Sequence, residues 1–437
     1  MPVRAILGGR VFRGWYITAF GAVALMLAGP YVFGIFLRPM TEELEWSRGD
    51  FALANTVSVF MAGVVGFFVG PIVDGRRGRW MIAAGAVIAG LSLAALAFVD
   101  EMWQFWVLRG VIFVIGSAGV SPLVVNSTIS KWFVRRRGTA ISIASMGLSS
   151  GAIVVAPVIA WVVEVWGWRT GWVVQGALII LVLAVPAVLI IRRQPEDLGL
   201  NPDGDTDAEL AAQAAQPTRP NRRIAANEVS WTRAEAMRTR QLWTLIIVFG
   251  LSGISSNAVF LHLIPFLQDV GFSAAMAVGI VGFQNTIALI SKPGWGMLMD
   301  RYDPRHMIAL GWASKLLPLC LWPLVGSDYG LWAMLPLNVL YGIGAGAQQS
   351  GQEVIWAYCF GRRHIGAVRS VALPVTTILF AGGVWFAGAA WDATGSYALP
   401  FILFAVFCAI AMAGIMVIRP PVRPPAPVDR APAATSS

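Results

Sequence analysis

The chain has 437 residues, 57% of them hydrophobic and 13% charged, with a mean hydropathy of +0.69. Soluble domains carry about 25% charged residues, so this composition excludes a water-soluble enzyme or binding module and leaves a polytopic membrane protein. The net charge of +9 reads as basic cytoplasmic loops, not as a nucleic-acid surface.

A spanning helix needs about 20 mainly apolar residues, and twelve stretches qualify. Helix 1, 15–37, follows Arg13-Gly14-Trp15-Tyr16 and contains Pro30-Tyr31. Helix 2, 51–73, runs into Gly70-Pro71-Ile72-Val73-Asp74-Gly75-Arg76-Arg77-Gly78-Arg79, and helix 3 covers 80–99. Helix 4, 103–130, holds Arg109, Ser121 and Asn126. Helix 5, 138–163, opens after Lys131-Trp132-Phe133-Val134-Arg135-Arg136-Arg137 and contains Gly147, Gly151 and Pro157; helix 6 covers 171–191. Residues 192–240 are rich in Pro, Ala, Asp and Arg and read as a flexible cytoplasmic linker with a short amphipathic stretch near 231–240. Helix 7, 242–267, carries Asn257 and His262; helix 8, 275–299, carries Gln284, Asn285 and Ser291-Lys292-Pro293. Helix 9, 306–326, carries Lys315; helix 10, 330–358, carries Tyr341, Gln348, Gln349, Gln352 and Glu353; helices 11 and 12 cover 366–390 and 397–418. The expected organisation is a six-helix bundle over 1–191, a linker over 192–240, a second bundle over 241–420 and a disordered cytoplasmic tail over 421–437. No small-residue cleavage site follows the first apolar stretch, so helix 1 is expected to remain.

The charges are sorted. Of the 32 Lys and Arg, 26 fall in the tails and the 2–3, 4–5, 6–7, 8–9 and 10–11 loops, against three in the opposite loops. The positive-inside rule then puts both termini in the cytoplasm of a cell whose inner membrane the chain spans repeatedly. The remaining three, Arg109, Lys292 and Lys315, lie within spans, where the one acid is Glu353. Cys320, Cys359 and Cys408 form no CxxC or Cys/His cluster, so neither a metal nor a disulfide is expected. No phosphate-binding GxxxxGK[ST] loop is present, which argues against ATP drive. The three histidines are scattered over both sides, and no carboxylates face each other in a span, so a membrane enzyme is not expected.

The two halves repeat. Gly70, Asp74 and Arg79 return at a single offset as Gly296, Asp300 and Arg305, and Trp132-Phe133-Val134-Arg135-Arg136 returns near Cys359-Phe360-Gly361-Arg362-Arg363. Twelve spans, a long central loop and duplicated halves are a transporter architecture. The 2–3 loop resembles the signature of the major facilitator superfamily: a glycine, an acid four residues on, then a glycine and basic residues. That resemblance implies an all-α membrane fold of two pseudo-symmetric six-helix bundles. It also implies a latch in which Gly70 allows close approach while Asp74, Asp300, Arg79 and the loop arginines Arg76 and Arg77 hold helix ends together.

Two shorter segments, Arg13-Gly14-Trp15-Tyr16 and Lys131 through Ala140, resemble the monocarboxylate transporter and oxalate/formate antiporter branch. Where members of that branch carry a helix 1 lysine after a proline, this chain has Tyr31. Where proton-coupled members carry an aspartate four residues before an arginine in helix 8, it has Ala288 and Lys292.

A charge at bilayer depth costs at least about 2.5–3.5 kcal/mol and is a functional hypothesis by default. Lys292, just before Pro293, is read as the counter-ion of a substrate carboxylate, with Tyr31, Tyr341, Asn285 and Ser121 as further substrate-binding residues. Arg109 and Glu353 are assigned to coupling. Glu353 is either a proton carrier or a salt-bridge partner of loop arginines such as Arg362, and Lys315 is read as an interhelical contact. An excess of buried positive charge suits an anion. The chain is therefore expected to be a monomeric secondary transporter, symporter or antiporter, for small organic anions such as lactate- or pyruvate-type acids. It would work by alternating access, without cofactor, on a proton or anion gradient. Proton-coupled drug or metabolite efflux is the alternative.

Overall fold

In a computed structural model, residues 12–75, 78–214, 229–325 and 330–421 are described. Arg76, Arg77 and the tail beyond residue 421 lie outside them. All regular structure among the described residues is helical. Ten segments of the described residues are long and apolar enough to cross a bilayer. One of them, the 54-residue Arg137–Ile190, holds two crossings that turn at Gly167, where a φ of 81° favours glycine. The 31-residue helix Gly330–Phe360 completes twelve.

These are α1 (Arg13–Glu43), α2 (Arg48–Asp74), α3 (Gly78–Phe98), α4 (Met102–Trp132), α5 and α6 (the two legs of Arg137–Ile190), α7 (Arg240–Asp269), α8 (Ala274–Arg301), α9 (Pro304–Leu324), α10 (Gly330–Phe360), α11 (Ile365–Thr394) and α12 (Ala398–Val417). Side-chain caps start several of them. Ser47 accepts from the Asp50 N–H at 3.0 Å for α2, Ser273 from Met276 at 3.3 Å for α8, and Asp303 from Arg305 at 2.9 Å for α9. Large apolar side chains face outward on many helices, including Leu181 (70% exposed), Phe260 (73%) and Val417 (79%). Such a surface is stable only against lipid.

Helices α3 with α6, and α9 with α12, pack at the flanks of the two halves. The halves meet where α2 packs on α11 and α5 packs on α8. Two helices break inside the N-terminal half. α1 leaves α-geometry at Gly29, which is extended (ψ 158°), and resumes as a 3-10 turn at Pro30. α4 passes through a π-helical stretch, Trp106–Ile112, and a 3-10 turn, Ala118–Val120, before Ser121 turns extended (ψ 161°) and Pro122 restarts the helix. A proline has no N–H to continue the ladder. At membrane depth such irregular backbone is tolerated where it is buried in protein or lines a cavity.

The first part of the linker docks firmly. Asp203 accepts from the backbone N–H groups of Val134, Arg135 and Arg136 at 3.0, 2.8 and 3.1 Å, and Asp205 pairs with Arg135. Glu196 pairs with Arg362 in the other half, and Arg362 donates to the Lys131 carbonyl at 2.7 Å. The stretch near 231–240 forms a short helix, Arg233–Met237, opened by a reciprocal Thr232/Glu235 cap.

Candidate functional site

The duplicated Gly-x-x-x-Asp segments converge on one end of the interface and make the same contact twice. Asp74, at the end of α2, accepts from the N–H groups of Gly366 (3.3 Å) and Ala367 (2.7 Å) at the start of α11. Asp300, at the end of α8, accepts from Gly138 N–H (2.6 Å), Thr139 N–H (2.9 Å) and the Thr139 hydroxyl (2.6 Å) at the start of α5. A carboxylate at a helix N-terminus meets unpaired N–H groups and the positive end of the dipole.

The motif glycines make this possible. A Cβ on Gly70 would lie 2.3 Å from the Gly366 carbonyl oxygen, and one on Gly296 would lie 2.4 Å from that of Gly138. Among the described residues, Lys131 pairs with Asp74 at 2.7 Å, with both side chains buried. Arg79 instead stacks beside Trp80 at 5.4 Å, and its repeat, Arg305, pairs with Asp303 and donates to the Ile418 carbonyl at 2.7 Å.

Above the latch, between the halves, lies a cavity of about 370 Å³. Its aliphatic wall includes Leu25, Val114, Leu148 and Leu373; its polar lining includes Ser121, Asn126, Ser145, Glu353 and Arg369. The break in α4 brings Ser121 and Pro122 to this wall. Glu353 on α10 forms a buried ion pair with Arg369 on α11, which also donates to the Pro122 carbonyl at 3.4 Å. The sequence suggested Arg362 as a partner of Glu353 and counted Arg369 with the loops. One turn of α11 carries Arg369 from the loop into the interface, while Arg362 stays with Glu196.

Of the residues expected to bind substrate, Ser121 lines the cavity and the others occupy different positions. Lys292 is fully buried and donates to the Ser145 carbonyl (3.0 Å) and the Ser149 hydroxyl (2.7 Å) of α5. It thus joins the two halves and reaches the cavity through Ser145. Tyr31 donates to the carbonyls of Leu25 (3.1 Å) and Met26, which the break in α1 leaves without their helical partners. Asn285 is exposed on α8. Tyr341 is buried in the C-terminal half, 5.0 Å from the Trp322 ring and 5.4 Å from Lys315 Nζ.

Lys315 bonds Ser256 (2.7 Å) and Gln348, which is the interhelical role expected of it. Arg109 lies over the rings of Phe113 (4.3 Å) and Phe33 (5.1 Å) and donates to the Ser58 hydroxyl at 3.3 Å. Among the described residues no carboxylate pairs with Arg109, Lys292 or Lys315. His262 is held between Tyr397 (3.2 Å) and the Val384 carbonyl (3.0 Å), contacts that fix the orientation of its ring. Arg369, the second charge in the cavity, was missed because a cation one turn beyond a loop cannot be sorted by counting.

Comparison with known proteins agrees with this geometry. The oxalate:formate antiporter of Oxalobacter formigenes is 23% identical over 95% of this chain and 93% of its own length. Monocarboxylate transporter 11 of Mus musculus is 24% identical over 90% of this chain and 85% of its own. An MFS-type transporter of Aspergillus niger, pynF, is 24% identical over 80% and 74%. In fold, the chain is similar to a single-site variant of the fucose:proton symporter of E. coli, with a TM-score of 0.65, 13% identity and coverage of 92% and 97% of the two chains. The Major Facilitator Superfamily profile matches residues 19–383, and the chain belongs to that family of multi-pass membrane transporters.

Proposed function

We propose that this protein is a secondary transporter of small organic anions, with monocarboxylates as its substrates, and that the cavity between the halves is the binding site. The observation that carries this reading is the Glu353–Arg369 ion pair in the cavity wall. A guanidinium receives a carboxylate through two parallel N–H···O bonds, and here it is already receiving one from the protein. Lys292, one residue removed behind Ser145, adds positive potential that no acid offsets among the described residues. That sign favours anions and weighs against the export of organic cations. The names of two relatives, an oxalate:formate antiporter and a monocarboxylate transporter, support the same class.

Transport would follow by exchange at Arg369. The incoming carboxylate takes the place of Glu353, and Glu353 leaves the pair by accepting a proton. One proton and one monocarboxylate then cross together as the halves rock, and both are released when the Glu353–Arg369 pair re-forms. Arg109, buried on the same helix as Ser121, supports coupling by holding the π-helical stretch of α4 against α2 through Ser58. The latch end, which carries the basic loops, would face the cytoplasm of the inner membrane.

The test is E353Q in proteoliposomes. With a permanently neutral amide in place of the carboxylate, uptake driven by an imposed pH gradient is lost while carboxylate-for-carboxylate exchange persists. Unchanged pH-driven uptake would remove Glu353 from coupling.

A further inference from the structure

Arg79 belongs to the duplicated motif yet stands away from the latch, so its charge has no task in the transport cycle above. It lies in the first turn of α3, at the end of the molecule where α1 begins and α6 stops. Three arginines gather there. Arg13 donates to the Leu189 and Ile190 carbonyls at 2.8 and 3.4 Å, and Arg192 donates to those of Val188 and Ile191 at 2.9 and 2.8 Å. These are the orphan carbonyls at the C-terminal end of α6, so both guanidiniums are held on one helix end. α3 reaches the same level. It touches α6 where a Cβ on Gly90 would lie 2.5 Å from the Gly176 carbonyl oxygen. The two helices run antiparallel, and an equal count of residues from that contact leads back to Arg79 and forward to Ala187, in the last turn of α6.

Among the described residues no acid neutralises this corner. Arg13 and Arg192 meet carbonyls, which leave their charge intact, and Arg79 meets the ring of Trp80 at 5.4 Å. Arg13 keeps Nη1, and Arg192 keeps Nε and Nη2, for a further acceptor. Neither α1 nor α3 carries an acid in its first turn, where free N–H groups and the dipole already favour negative charge. The adjoining stretches 1–11 and 76–77 contain no Asp or Glu. Burial, and then Arg13 and Arg79 beside it, hold the Arg192 pKa below its ordinary value. The surface that continues from the arginines is apolar: Tyr16, one turn along α1 from Arg13, Trp80 beside Arg79, and Val185 and Leu189 on α6 are all exposed.

We infer that the junction of α1, α3 and α6 at the latch end is a binding site for an anionic phospholipid, and that cardiolipin, with two phosphates, fits it best. The phosphates sit among Arg13, Arg79 and Arg192, and the acyl chains lie along Tyr16, Trp80, Val185 and Leu189. Basic pockets between spans recognise such headgroups. The apolar face that runs on from the arginines favours a lipid over a free phosphate, which would leave that face unused.

The experiment titrates the purified full-length protein with cardiolipin, phosphatidylglycerol, phosphatidylcholine or inorganic pyrophosphate and reads the first binding event by native mass spectrometry. Cardiolipin is expected to bind roughly tenfold or more tightly than phosphatidylcholine, and more tightly than phosphatidylglycerol. R79Q removes a side chain that makes no hydrogen bond among the described residues, and is expected to weaken cardiolipin roughly fivefold, the contribution of one cation at an anionic surface. R238Q removes an equal charge from an exposed position before α7 and is expected to leave cardiolipin binding unchanged. Cardiolipin binding wild type no more tightly than phosphatidylcholine overturns the site, and that comparison does not depend on any variant folding. Equal losses in R79Q and R238Q overturn it too, because they mark diffuse attraction to a basic face. Phosphatidylglycerol binding as tightly as cardiolipin overturns the preference for two phosphates, and pyrophosphate binding as tightly overturns the lipid as occupant.

Discussion

Asp300 and Thr139, from opposite halves of the chain, are joined twice: the Asp300 carboxylate accepts both the backbone N–H of Thr139 at 2.9 Å and its hydroxyl at 2.6 Å. The contact repeats on the other side of the pseudo-two-fold, where Asp74 caps Gly366 and Ala367. Each hydrogen bond to a charged acceptor contributes about 1.5–3 kcal/mol, so these two contacts are expected to set a large part of the preference for a closed end. D300N is expected to shift the population towards latch-end opening. Spin labels at the exposed positions Trp80 and Arg363 would report a longer distance; an unchanged distance in both D300N and D74N would show that the latch does not hold the state.

The glycines should be equally symmetric in effect. G70V and G296V each place side-chain atoms where a backbone carbonyl already sits, at 2.3 and 2.4 Å from the Cβ position. Both variants are predicted to insert in the membrane and to lose closure at the latch end, with the same label pair widened in each. A variant that closes normally would show that the helices can slide past the obstruction.

The paired contacts of Asp74 and Asp300 were legible in the sequence because their chemistry is local and duplicated: a glycine, an acid four residues on, and the same spacing repeated across the two halves. The twelve spans were legible because lipid demands long apolar runs, and the predicted boundaries fall within a few residues of the helices found. The cavity was not, because its walls come from α1, α2, α4, α5, α10 and α11, and direction around a buried helix leaves little trace when all sides are apolar. Lys292 stood out as a charge before a proline, yet its target, Ser145 and Ser149, lies in the other half. Tyr31 looked available to a ligand, but the break at Pro30 frees carbonyls that its hydroxyl occupies. Glu353 was evident as the one acid in a span; its partner Arg369 was hidden by its closeness to a loop.

Lys292 and Lys315 are both fully buried lysines, and they should behave in opposite ways. K292M removes the two bonds that tie α8 to α5 at the cavity wall. Uptake is expected to fall roughly tenfold or more, equivalent to about 1.4 kcal/mol, with normal expression. Uptake within twofold of wild type would take Lys292 out of the mechanism.

K315M, by contrast, deletes a charge that serves packing within the C-terminal half. Ser256 retains the Ser252 carbonyl as a partner, and Gln348 retains Ser252 and Ser256. Replacing a buried charge by an apolar side chain of similar volume is often neutral or stabilising. The melting temperature should stay level or rise, with uptake retained. Loss of uptake at unchanged stability would instead give Lys315 a transport role.

The central claim is that Arg369 receives a substrate carboxylate. The direct measurement is uptake of labelled monocarboxylates into proteoliposomes containing wild type, R369K or R369Q. The prediction is saturable uptake by wild type, reduced uptake by R369K, whose point charge lacks the two-pronged geometry, and background uptake by R369Q. Monocarboxylates that are not moved by wild type while cationic dyes are, or full uptake by R369Q, would contradict it.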